Sequence, residues 1–329
     1  MKRLCLIGLS FSILFSSVGC NEVTYPKATL RESIIKLCRD EYDLNVDVTL
    51  SGKTLALYMP LMNLFGATLS LSEEAQDKIQ DVILGASRIT LSTDADIKFY
   101  CIITQDVRIP EIQLVIIKYV DDIKRAFYSD ISRGEYFKRT LIDMSENPQA
   151  KKEKAITDVL DKMELDQEMR DKVLDDFFRS EPGSLDGIGY WNGKFYIKNI
   201  TFEEFLAEQI ASRIRMRFSE EESLNRYDLK LVTGNFAVKD RFRFFLISFS
   251  AESLLFTSTP DERALMEDDI FKNIINEISN VVYGYKFRDF NLVKIEEKNY
   301  STELAVSKED IYLFKRGKLG INTILSVLN

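Results

Sequence analysis

The residues best suited to chemistry in this chain are acidic, cysteinyl or glycine-flanked, and none is a histidine. Without an imidazole, Ser-His-Asp and Cys-His nucleophile systems, His-ligated zinc and HExxH proteases are all excluded within this chain. A catalytic site would have to use carboxylates, lysine, tyrosine or a Ser-Lys pair. Asp94, Asp96, Asp106, Asp121 and Asp122 fall near the expected ends of strands, where carboxylates would serve acid–base work or share a cation. Calcium needs six or more converging oxygens and no EF-hand spacing is present, so solvated strand-end acids are expected instead. Ser51-Gly52-Lys53-Thr54 matches the end of a phosphate-binding P-loop. Asp47, however, stands where that motif needs glycine, and strand-like residues follow where it needs a helix. The glycines of 187–193 ("GIGYWNG") precede a hairpin pattern, which predicts a turn and not a pyrophosphate cradle. No nucleotide, cofactor or metal is expected. Cys38 and Cys101 would either form a disulfide or pack as buried apolar side chains, one on a helix and one in a strand. The aromatic runs at 241–249 and 285–290 are expected to be strand core, since β-propensity and burial explain them without a stacked ligand.

Hydrophobic periodicity supplies the elements that must position these residues. Leu30, Ile34, Leu37 and Cys38 recur at helical spacing over 30–40. Val46, Val48 and Leu50 then alternate with Asp47, Thr49 and Ser51, as in a half-buried strand. Ser51-Gly52 reads as the turn to a second strand at 53–60. A helix is predicted from Ser72, with Glu73 and Glu74 in its first turn beside the positive dipole end. Strands follow at 97–105 and 112–120, and the second, apolar on both faces, belongs inside its sheet.

A similar order recurs after residue 200. Thr201 and Glu204 form a capping box with Ile200 and Phe205 as its hydrophobic staple, and the helix runs to 218. A hairpin turning at Gly234-Asn235 is expected next. A helix over 262–283 follows, with Ile270, Ile274, Ile275 and Ile278 on one face, then strands at 290–297 and 302–307. "YDL" at 42–44 and 227–229, with "DDI" at 121–123 and "EDI" at 309–311, mark corresponding places in the two halves. The expected class is therefore α+β. Two helix–hairpin–helix–two-strand units, 30–122 and 201–329, with antiparallel sheets and packed helices, read as an internal repeat. Between them, 123–200 is expected to be a helical insert and hairpin. Its helices lie at 151–163 and 166–180, and its tight turn at Asn192-Gly193.

The amino terminus carries a different signal. Lys2 and Arg3 precede an uncharged apolar run, Leu4 to Phe15, and compact residues lead to Cys20. A run of about twelve residues is too short for a bilayer, which needs roughly 20. "SVGC" at 17–20 resembles the lipobox of bacterial lipoproteins, with Gly19 and Val18 in pattern and Ser17 in place of the usual leucine. The resemblance covers only the first twenty or so residues. It implies a signal peptide of residues 1–19 cut before Cys20, a diacylglycerol thioether on the Cys20 sulfur and an acylated amino terminus. Each buried methylene then adds about 0.8 kcal/mol to anchoring. Asn21, where aspartate favours inner-membrane retention, leans toward the periplasmic face of the outer membrane. Residues 20–29 would be the lipidated tether.

The net charge is −8, and losing Lys2 and Arg3 with a leader makes it more negative. That balance argues against nucleic acid as a partner, because phosphate binding needs a concentrated basic surface. The expectation is a membrane-anchored cell-envelope lipoprotein with a binding or scaffolding role, with enzymatic activity left open. Its partners would be the membrane, through lipid, and another envelope protein. Two alternatives remain: a histidine-free envelope hydrolase using paired carboxylates, and a small-ligand carrier. Two facing acids in a cleft would favour the hydrolase, an exposed apolar face the scaffold, and a closed apolar pocket the carrier.

Overall fold

The computed structural model describes residues 24–66, 70–147, 150–151, 185–224, 226–253, 260–299 and 301–326. The leader, Cys20 and nearly all of the two predicted insert helices lie outside them. The protein is α+β and divides into two units. The described parts of 123–200 are shared out between these units: 142–147 and 189–197 belong to the first, 133–141 and 185–188 to the second.

In the first unit, α1 (Leu30–Tyr42) buries Leu30, Ile34, Leu37 and Cys38, the predicted apolar stripe, and ends on Asp43 in the left-handed region at φ 52°. Strands β1 (Asp47–Ser51) and β2 (Thr54–Leu61) pair antiparallel around Gly52-Lys53, one residue later than expected. Helix α2 (Glu73–Leu91) starts at the predicted cap, where Ser72 Oγ accepts from the Ala75 N–H at 3.2 Å. It is the crossover that lets β3 (Phe99–Asp106) lie parallel to β2. Strand β4 (Ile109–Tyr119) returns antiparallel and runs directly into α3 (Val120–Phe127). After α4 (Arg133–Lys138), which belongs to the second unit, comes β5 (Leu141–Glu146), giving the order β1-β2-β3-β4-β5. Strand β4 is thus interior, as its two apolar faces predict. The Tyr100 hydroxyl lies 3.1 Å from Ser87 Oγ of α2, so the even-numbered residues of β3 face the helices.

The opposite face of this sheet takes a small hairpin, β6 (Gly189–Trp191) and β7 (Lys194–Tyr196), with Asn192 and Gly193 at positive φ as the Asn-Gly signal requires. Tyr58 pairs in register with Ile103 and so points away from the helices; its ring stacks on Tyr190 with centroids 3.6 Å apart. Side-chain amides hold the hairpin backbone. Gln105 Nε2 and Asn147 Nδ2 donate to the Tyr190 carbonyl at 2.8 and 3.0 Å, and Asn147 also donates to Gln113 Oε1 at 3.2 Å. The Tyr190 hydroxyl donates to Asp47 at 2.6 Å. Gly189 is needed at this contact, since a Cβ there would come within 2.6 Å of Gln113.

In the second unit, α5 (Phe202–Glu220) begins at the predicted capping box. Thr201 Oγ1 accepts from the Glu204 N–H at 3.3 Å, and the Glu204 carboxylate accepts from the Thr201 N–H at 3.1 Å. Ile200 and Phe205, the staple, are both buried. Strands β8 (Tyr227–Lys239) and β9 (Phe242–Ser253) precede α6 (Pro260–Gly284), whose Ile270, Ile274, Ile275 and Ile278 are buried as the periodicity predicts. Strands β10 (Leu292–Glu297) and β11 (Thr302–Ser307), then α7 (Lys308–Lys315) and the short α8 (Ile321–Leu325), complete the unit. The order is β11-β10-β9-β8, with β9 and β10 parallel and the outer pairs antiparallel. Strands β1 to β4 have the same order and directions, so each sheet is mixed, which corrects the expected antiparallel sheets: the crossover helix brings the two middle strands parallel. "DDI" and "EDI" fall in α3 and α7, each directly after the fourth strand. "YDL" fails as a marker, because Tyr42 closes a helix whereas Tyr227 opens a strand.

The predicted turn at Gly234-Asn235 is corrected by the structure. Strand β8 continues through it, and the chain reverses at Asp240-Arg241, with φ of 51° and 69° and Lys239 opposite Phe242. Gly234 is a site of close backbone approach: a Cβ there would lie 2.0 Å from the Ala207 carbonyl oxygen of α5. At an unobstructed position, Gly→Ala stabilises by roughly 0.4–1 kcal/mol through the unfolded chain. Gly234→Ala is expected to do the reverse, lowering stability by about 2–3 kcal/mol as overpacking forces α5 off the sheet. Urea denaturation tests this, and an unchanged midpoint would show that the contact tolerates a side chain.

Candidate functional site

Strand β9 has two apolar faces with different fates. Phe245, Ile247 and Phe249 are fully buried against the helix layer, where Phe249 meets Phe271 of α6 with centroids 5.7 Å apart. Phe245 joins Phe236, Phe287 and Phe290 in an edge-on aromatic cluster with centroids 5.0–5.8 Å away. The 285–290 run lies in the loop before β10 with only Phe290 buried and Tyr285 and Phe287 half-buried, which corrects the strand-core expectation. The alternate residues Phe242, Phe244 and Leu246 point the other way, so the 241–249 run is only half core. Together with Leu292 of β10, which pairs with Phe244, they floor a groove of about 460 Å³ on the open face of the sheet. Phe242 remains 57% exposed.

Four charged residues rim the groove. Lys294 pairs with Glu303 at 2.8 Å, which holds its ammonium above the usual lysine range. Glu296 pairs with Lys298 and accepts from Ser248 Oγ at 3.4 Å. Lys239 and Asp240, at the turn, form no ion pair among the described residues. The groove thus offers an apolar floor, a neutralised far end and one unengaged charge of each sign at its mouth.

Each candidate acid has a polar or charged partner. Asp94 accepts from the Lys27 N–H at 2.6 Å, and Asp96 pairs with Lys53 at 2.5 Å. Asp106 is fully buried and accepts from Arg108 Nε and Nη2 at 2.9 and 2.8 Å; these bonds hold its carboxyl well below the usual range. Asp121 accepts from the Tyr119 hydroxyl at 2.9 Å, and Asp122 sits 3.7 Å from Arg125. Among the described residues no three carboxylates or thiols are grouped to hold a metal. Gly52 and Lys53 form a hairpin turn and Thr54 opens β2, so no helix follows the P-loop-like run.

Cys38 and Cys101 are free and buried, which corrects the disulfide alternative. Leu37 of α1 and Gly85 of α2 pack closely, and α2 covers the even face of β3. Cys101 points to the odd face, so the sheet lies between the thiols. Burial pushes the Cys38 thiol up to about 11 and raises that of Cys101 well above its usual range. Sequence reasoning also passed over Lys118, which is opposite Tyr100 and only 6% exposed; burial lowers its ammonium pKa to about 8 despite nearby Asp122.

No known protein family, curated protein or solved structure matches this chain. Among the described residues, no helix is long and apolar enough to cross a membrane.

Lys118 yields a pH prediction. Its folded pKa near 8 lies below the unfolded value of about 10.4, so between them the unfolded chain binds the extra proton and stability rises with pH. From pH 8 to 9.5 the native protein should gain up to about 2 kcal/mol relative to Lys118→Met. Paired urea titrations measure the difference, and a constant offset would contradict a buried, deprotonating lysine.

Proposed function

We propose that this protein is a lipid-anchored cell-envelope lipoprotein that binds or scaffolds a partner on the open face of β8–β11. The observation carrying the binding reading is the apolar-floored groove left uncovered there. The state of the carboxylates favours it over a hydrolase, because each candidate acid is already engaged by a hydrogen bond or an ion pair. The groove is open along a sheet face, which favours a macromolecular partner over a carrier's enclosed ligand.

The anchoring reading rests on the lipobox-like run ending at Cys20. Tyr25 N–H donates to the Ser92 carbonyl at 3.3 Å and Lys27 N–H to Asp94, so the chain is fixed to the first unit from Tyr25 onward. Residues 20–24 would then span at most about 17 Å between the lipid and the body. On this reading the body lies against the membrane, with Asn21 leaning toward the periplasmic face of the outer membrane. The two units arose by duplication of one helix–hairpin–helix–two-strand ancestor. Their matching strand order, parallel central pair and post-sheet helices support this.

Cys20→Ala tests the anchor. Metabolic labelling with radioactive palmitate should mark the native chain and leave the variant unlabelled, with the leader uncut and the protein lost from washed membranes. A variant still labelled, or still processed before residue 20, contradicts lipidation at Cys20.

A further inference from the structure

The two sheets present their corresponding faces differently. In each, the crossover helix between the parallel strands covers one face: α2 joins β2 to β3, and α6 joins β9 to β10. In the first unit the other face is taken by the hairpin β6–β7, which lays Tyr190 flat on Tyr58 while amides hold its backbone carbonyl. In the second unit the corresponding face carries Phe244 and Leu246, and among the described residues no hairpin lies on them.

From this pairing we infer that the groove on β9 and β10 is a docking site for an extended, aromatic-bearing segment of a partner protein, seated as β6–β7 is seated on the first sheet. The inference rests on the binding reading above and specifies its occupant. Two features fit such a segment. The floor formed by Phe242, Phe244 and Leu292 suits a flat aromatic side chain, which stacks on or packs edge-on against phenylalanine. Lys239 and Asp240, unengaged at the mouth, complement a segment carrying one acid and one base beside its aromatic residue. An amphiphile would use the same floor but would not need both rim charges.

In-cell photocrosslinking of the full chain tests this, with p-benzoylphenylalanine at Phe244 and, as a control, at exposed Lys286. The expected product is a protein adduct specific to position 244. Peptide mapping should put the bond at or beside an aromatic residue in an extended segment of one partner. A synthetic peptide of that segment should compete for crosslinking, and its aromatic→Ala form should compete at least five-fold less well. Lys239→Glu or Leu292→Gln, checked for an unchanged urea midpoint, should each cut the yield about five-fold. An adduct of phospholipid mass, or a bond mapped to a helix, overturns the inferred occupant while leaving the groove a binding surface. No adduct above the control overturns both.

Discussion

A single backbone contact governs the layout of the second unit. Gly234 of β8 lies so close to the Ala207 carbonyl that no side chain fits between them. Strand and helix therefore meet backbone to backbone, and α5 is buried on several sides, through Phe205, Leu206, Ile210, Ala211 and Ile214. With α5 and α6 committed to one face of the sheet, no helix among the described residues covers the apolar residues Phe242, Phe244 and Leu246 on the other. The groove is a consequence of where the helices went.

The first unit solves the same problem by covering its second face. The hairpin crosses long sequence separations to do so: Gln105 and Asn147 reach Tyr190 over 85 and 43 residues. Its anchoring carbonyl is shared by two amide donors, and Asn147 is tied in turn to Gln113, so each of these buried polar groups has a partner. Burial of that kind is costly to leave half made, which explains why the hairpin needs Gly189 for close approach.

Local signals carried most of the element pattern in the sequence. The capping box at Thr201 and Glu204, the Ser72 cap and the isoleucine stripe of α6 each depend on residues within a turn or two of one another, and each was readable. Gly234-Asn235 misled because glycine marks both turns and close approaches. The true turn, Asp240-Arg241, has no glycine to announce it. The candidate site was less legible. Alternation along β9 reveals two apolar faces but not which of them a helix will cover, and the separation of Cys38 from Cys101 by a sheet is a tertiary fact. The expectation of solvated strand-end acids fails at Asp106 and Asp122, which are buried, and spacing alone does not show Arg108 closing on Asp106.

The central claim is that the open face of β8–β11 is occupied in the cell. Single cysteines at Phe242, Leu292 and, as a control, Lys286 report on this directly, since native Cys38 and Cys101 are buried. Their labelling rates with a membrane-permeant maleimide are compared in intact cells and in the purified protein. The account predicts that positions 242 and 292 react several-fold more slowly in cells while 286 is unchanged. Equal rates at all three positions in both settings would contradict it.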